Sequence, residues 1–213
     1  MSAEDAMPKI TDLQIQKNNK TRANVYVDGQ FAFGAEMVTV MKLGLKIGAE
    51  VSEERLRLAV FDSERSVAFQ KAADYLGRAM RTRKQMTDYL LKKGYSQEVT
   101  QDVLQRLCGY KYVDDEAYCE AYVRQNGQGK GARRIRAELL ERGISAEMAD
   151  RHSDLDEETQ HRGAQQVAHK YMKNKTCDVK TMQKLQRYLL SRGYGYETVS
   201  AVVRSYREDC SDD

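Results

Sequence analysis

The sequence predicts a mainly α-helical chain, built as three tandem three-helix repeats in an elongated array preceded by a small N-terminal antiparallel β-sheet or hairpin. Three observations carry this. A 14-residue block recurs three times between Thr82 and Tyr194. Beyond about residue 65 the chain is rich in Lys, Arg, Glu, Gln and Leu, residues that favour helix, and the single Pro is Pro8. Only the stretch from Ile10 to about Met41 alternates with the period of two expected of strands.

In that first stretch Ile10, Leu13 and Ile15, then Val25 and Val27, then Phe31 and Phe33 mark three strands. Asp28-Gly29 lies between two of them and tolerates the positive φ of a type I′ turn. Lys17-Asn18-Asn19-Lys20 supplies a second turn signal. Ser52 followed by Glu53 and Glu54 predicts a helix start, with a serine N-cap and carboxylates facing the positive end of the helix dipole.

The repeated blocks are Thr82–Tyr95, Gly131–Ile144 and Thr181–Tyr194. Each holds a leucine pair (Leu90 and Leu91, Leu139 and Leu140, Leu189 and Leu190), then a basic residue (Lys93, Arg142, Arg192), then glycine (Gly94, Gly143, Gly193). Met86, Ile135 and Leu185 precede the first leucine by four positions, so they share one helical stripe. Thr82, Gly131 and Thr181 stand at N-cap positions, and Thr82 with Gln85 has capping-box spacing. The glycines suit a left-handed C′ position, and the cation before each favours the negative helix end. Ser96, Ser145 and Gly195 open the next helix in each unit, and a further helix upstream ends near Tyr75, Tyr122 and Tyr171.

The spacing thus predicts helices near 66–80, 83–93 and 97–108, then 114–125, 132–142 and 146–154, then 158–173, 182–192 and 196–208. The corresponding division is a β-rich extension with a short helix at 1–62 and three-helix repeats at 63–110, 111–157 and 158–213. The second repeat has His152 and Ser153 where the first has Val103 and Leu104, which predicts a thin core there.

At 213 residues, with 41% hydrophobic and 31% charged side chains, the chain can bury a core without metal or disulfides but is rich in surface. Cys108, Cys119, Cys177 and Cys210 show no paired spacing and no leader or long apolar run precedes them, so reduced thiols in a cytoplasmic protein without a membrane segment are expected. The net charge is +3. That is far from the strongly basic footprint of a dedicated DNA-coating protein.

Catalytic and metal motifs are missing from the pattern. His152, His161 and His169 have no i, i+4 pair, so no zinc site is expected. Gly127, Gly129 and Gly131 follow a helix rather than a strand and lack a Walker ending, which predicts a mobile inter-helix loop. Asp114, Asp115 and Glu116 are explained as the acidic start of a helix. Tyr75, Tyr122 and Tyr171 are expected to fill core with a polar tip at its edge, whereas Tyr110 and Tyr112 are freer to bind. No nucleophile and base stand at recognisable spacing, so no enzyme, cofactor or catalytic residue is expected.

Basic residues are the informative class. Arg78, Arg81, Arg83 and Lys84 flank the start of the first block, Lys92 and Lys93 close it, and Lys130, Arg133, Arg134 and Arg136 recur one repeat later. Solvated helix faces account for such charges in many proteins. Presented along tandem repeats they also suit phosphate or an acidic protein partner.

The order of these features resembles the RecX family of RecA-recombinase modulators. The resemblance is carried by Tyr75-Leu76-x-Arg78-x-x-Arg81-Thr82, Leu90-Leu91-Lys92-Lys93-Gly94-Tyr95, Tyr112-Val113-Asp114-Asp115-Glu116-x-Tyr118, Tyr122-Val123-Arg124 and Gly129-Lys130-Gly131. It covers roughly residues 65–208, and the β-extension resembles longer versions of the family. Cys119, where a small residue is common, and the polar third helix of repeat two are departures. The resemblance implies a cytoplasmic, non-catalytic protein that binds the RecA filament and dampens its ATPase, strand-exchange and co-protease activities. Contacts to single-stranded or duplex DNA are compatible with it. The oligomeric state stays open, with a monomer favoured. The competing expectation is a free-standing helical DNA- or RNA-binding protein, which tight, steeply salt-dependent binding without RecA would reveal.

Overall fold

In a computed structural model that describes residues 7–17 and 19–209, the N-terminal alternation folds as β1 (Ile10–Gln16), β2 (Asn19–Val27) and β3 (Gln30–Glu36). They form one antiparallel sheet in chain order. Asp28 and Gly29 have φ of 49° and 81°, both positive as a type I′ turn requires. The other turn signal includes Asn18, which lies outside the described residues. Period two places Ile10, Val25, Phe33 and Ala35 on one face, in a cluster with Val40, Leu45, Val51 and Ala59.

Two expectations for this region are corrected. The period-two pattern predicts strand to about Met41, yet Met37–Lys42 forms a helix, α1. Continued alternation after Phe33 and Ala35 would turn Val40 outward; the helical turn instead buries it. The helix starting near Ser52 and the one expected from residue 66 are a single helix, α2 (Glu53–Leu76). Ser52 caps it by accepting from the Arg55 N–H at 3.3 Å. Its buried residues are Ala59, Ser63, Ala68 and Ala72, small side chains that let it pack closely on β3 and on α4 (Gln97–Gly109). A stripe of alanine and serine carries no large-residue period, which is why the join is hidden in the sequence. Ser63 donates to the Gly34 carbonyl, which also accepts from Arg22 at 2.9 Å.

The repeats then run α2, α3 (Arg83–Lys92) and α4; α5 (Asp115–Asn126), α6 (Ala132–Glu141) and α7 (Ala146–Ser153); α8 (Glu157–Met172), α9 (Val179–Ser191) and α10 (Tyr196–Asp209). Met86, Ile135 and Leu185, with Leu90, Leu139 and Leu189, are fully buried as the shared stripe predicts. The thin core of repeat two is real: α7 spans 8 residues against 13 in α4 and 14 in α10. Ser96 and Ser145 cap their helices through Val99 and Met148, and Asp114 caps α5 through Glu116 and Ala117.

Gly94, Gly143 and Gly193 have φ of 88°, 83° and 90°. Their N–H groups donate at 2.9 Å to Leu91, Leu140 and Leu190, and the next residues, Tyr95, Ile144 and Tyr194, donate to Leu90, Leu139 and Leu189. This is the Schellman pattern, built three times from one block.

Contacts divide the chain into two compact units, one reaching to Ala79 together with Thr87–Tyr110, the other Met80–Met86 together with the residues from Lys111 onward. Cys108 and Cys119 carry free thiols, but Cys177 is disulfide-bonded, against the expectation of reduced thiols throughout. Cys210 lies outside the described residues.

Candidate functional site

In the second unit, each glycine corner rests on the helix start of the repeat before it. The Thr82 hydroxyl at the head of α3 donates to the Arg142 carbonyl at 2.6 Å. One repeat on, the Gly131 N–H at the head of α6 donates to the Arg192 carbonyl at 2.9 Å, and Arg133 N–H to Gly193 at 3.3 Å. Thr82 and Gly131 occupy the same block position, as do Arg142 and Arg192. The approach is close: a Cβ on Gly131 would lie 2.3 Å from the Gly193 and Tyr194 backbone, and one on Gly143 2.3 Å from the Lys84 stem. Gly127 and Gly131 are buried, so the glycine-rich segment is packed rather than the mobile loop expected.

Thr82 and Gln85 complete their capping box reciprocally, at 3.2 Å in both directions. The third block departs from this scheme. Helix α9 begins three residues earlier than expected, capped by Asp178 instead of Thr181. Asp178 accepts from both the N–H and the hydroxyl of Thr181, each at 2.9 Å. These bonds, with one from Thr176, hold the Asp178 carboxyl down at about 2.

The cation before each glycine has a second task besides facing the helix dipole. Lys93 lies over the Tyr89 ring at 5.7 Å, Arg142 over Tyr122 at 4.7 Å and Arg192 over Tyr188 at 5.2 Å. Tyr75 stacks on Tyr89 with centroids 4.1 Å apart, and Tyr171 on Tyr188 at 4.8 Å. The half-buried tyrosines therefore fill core, as expected. Repeat two has Glu138 where the others have Tyr89 and Tyr188; Tyr122 donates its hydroxyl to Glu138 and stacks instead on Tyr118, with centroids 6.2 Å apart. Glu138 also accepts from Lys130 at 2.5 Å and Arg134 at 3.0 Å. Burial, with Arg134, Arg142 and Arg192 nearby, pulls the Lys130 pKa below its ordinary value.

The ten cations expected at a partner surface thus separate. Lys130, Arg134 and Arg136 are engaged in ion pairs within the chain, the first half-buried and the last held at the surface by a two-pronged pair with Asp150. Arg81 is half-buried. Arg78, Arg83, Lys84, Lys92, Lys93 and Arg133 are exposed. Arg133 and Arg136 meet Arg151 along a cleft of about 520 Å³ that Asp150 and Asp154 also line. Spacing did not disclose Glu138, Tyr122, Lys130, Arg134 and Arg142 as one network. The signal was present, since Glu138 is the one acidic residue at a position otherwise occupied by tyrosine.

Helix corners seated on helix starts by hydrogen bonds, with cations at their exposed rims, define a helical-repeat protein. Matches to family models specify it: the regulatory protein RecX N-terminal domain at residues 8–52, and the first, second and third three-helix domains of RecX at 68–107, 114–151 and 158–203. A regulatory protein RecX of Clostridium botulinum is 32% identical over 203 residues, covering 93% of this chain and 96% of that one. One of Bacillus licheniformis is also 32% identical, covering 93% of this chain and 77% of its own length. A crystal structure of regulatory protein RecX superposes with a TM-score of 0.69 at 27% identity, over 92% of this chain and 98% of that one. The crystal structure of RecX from Lactobacillus salivarius shares the fold, with a TM-score of 0.61 at 23% identity over 67% of this chain and 96% of its own. The chain belongs to the RecX family of regulatory proteins. Among the described residues no helix is long and apolar enough to cross a membrane.

Proposed function

We propose that the chain is a non-catalytic, cytoplasmic regulator that binds the RecA recombinase filament and lowers its ATPase, strand-exchange and co-protease activities, and so moderates recombination, DNA repair and the SOS response. The observation that carries this reading is the recurrence of an exposed cation at the third position of successive blocks, Lys84 and Arg133, in a chain matched to a regulatory family over four consecutive modules. The Lys84 stem is packed against Gly143, which leaves its ammonium in water on a fixed base. Cations anchored this way meet acidic protein or DNA phosphate with little ordering cost.

Several modest contacts presented by one chain add through effective concentration, which suits a filament of identical protomers. The test is the RecA ATPase rate on single-stranded DNA with substoichiometric amounts of this protein. A fall in rate supports the reading. An unchanged rate, together with tight salt-dependent binding to bare nucleic acid, overturns it in favour of a free-standing nucleic-acid binder.

A further inference from the structure

The three glycine corners share one backbone geometry but not one environment. Ile144 and Tyr194, which follow the second and third glycines, are 3% and 0% exposed. Tyr95, which follows the first, is half-exposed, and a Cβ on Gly94 would meet nothing within 4 Å. Around it Leu91, Lys92 and Lys93 are exposed, and no carboxylate among the described residues forms an ion pair with either lysine. Lys71 adds a third cation, 5.6 Å from the Tyr95 ring. At the other two corners the equivalent surface is covered by a helix start, with a hydroxyl or backbone N–H donating to the carbonyl before glycine.

We propose that the Leu91–Tyr95 corner is a docking surface for the N-terminus of a helix in a protein partner, one with a hydroxyl or glycine N-cap and acidic residues in its first turn. Two internal precedents fix the geometry: Thr82 on Arg142 and Gly131 on Arg192. The charge at this corner fixes the sign, since Lys71, Lys92 and Lys93 call for carboxylates. The block-equivalent helix starts of a second copy do not fit, since they carry no carboxylate in the first turn. The starts of α3 and α6 are already covered by its own corners, and at the start of α9 the donors of Thr181 are spent on Asp178. Its Ser52, Ser96 and Ser145 starts do carry one, so self-association of the full chain that K92E/K93E abolishes would overturn the filament protomer as occupant.

This inference rests on the filament as the partner, and it assigns the corner to an acidic helix start on a filament protomer. The experiment compares binding to RecA assembled on single-stranded DNA for the full chain, for K92E/K93E and for K180E/K184E, a matched reversal of two exposed lysines on α9. Reversal of two contact charges is expected to weaken binding about tenfold or more at the corner and within about threefold on α9. Lysine acetylation read by mass spectrometry on the unmodified chain provides a second measurement, with Lys92 and Lys93 protected by the filament and Lys180 and Lys184 left reactive. Equal losses in the two variants, or unprotected Lys92 and Lys93 in a chain that does bind, overturn the corner. Absence of any wild-type binding overturns instead the choice of partner.

Discussion

Glycine-to-alanine substitutions separate backbone strain from crowding. Gly94 has positive φ in open space, so Gly94→Ala should cost only the strain, about 1 kcal/mol. Gly143 and Gly193 add collisions with Lys84 and Arg134, and their alanine variants should cost about 2–4 kcal/mol. Gly131 has an ordinary φ of −76°, yet its Cβ would run into backbone, so Gly131→Ala should exceed Gly94→Ala although no strain is involved. Urea midpoints measure the series; four equal shifts would contradict the corner packing. The shared place of the three corner glycines was visible in the repeat, because a left-handed residue is a local requirement. The demand at Gly131 was not, because it comes from a residue 62 positions away. Asp178 adds a pH dependence. Its folded pKa of about 2 lies below the ordinary carboxylate value of 3.8, so its stabilisation is complete above that value and disappears as pH falls toward 2. Denaturation between pH 5 and 2 should show a shallower loss in Asp178→Asn than in the wild type.

Among the elements, the α6 helix carries the most polar packing. Glu138 replaces a stacking tyrosine and gathers Tyr122, Lys130 and Arg134. Glu138→Ala would leave the half-buried Lys130 ammonium beside three guanidiniums, and should destabilise by about 1–3 kcal/mol. A thermal midpoint within error of wild type would show the network to be ornamental. Helix periodicity located α3, α6 and α9 because each buries large side chains at i and i+4, and capping residues located their neighbours. It missed α1 and the join in α2, where burial is carried by one valine or by alanines. The start of α9 was misplaced because Asp178 and Thr181 are both good caps, and sequence does not rank two N-cap residues three positions apart.

Over the whole molecule, the distinction between exposed and committed cations is the testable one. Reversing Arg78, Lys84 and Arg133 to Glu should leave helical content and the unfolding midpoint near wild type while lowering filament inhibition about tenfold or more. Reversing Lys130, Arg134 and Arg136 should lower stability first, because it places like charges against Glu138 and Asp150. If the exposed triple reversal inhibits the RecA ATPase as well as wild type does, those side chains are only a solvated rim. The β-extension followed by three helical units was legible because it rests on repeated local patterns. Which cations are committed to ion pairs was not legible, since that depends on pairings such as Arg136 with Asp150 that alignment of the blocks does not reveal.

The bonds between Asp178 and Thr181 also bear on how such a chain can lengthen. A duplicated copy of the middle repeat, inserted between the second and third, meets a compatible neighbour on both sides, since α6 both lays its corner on a helix start and offers its own. The same copy appended after the third repeat finds those donors already occupied. Growth by internal insertion is therefore chemically open, and growth at the C-terminal side requires Asp178 to change first.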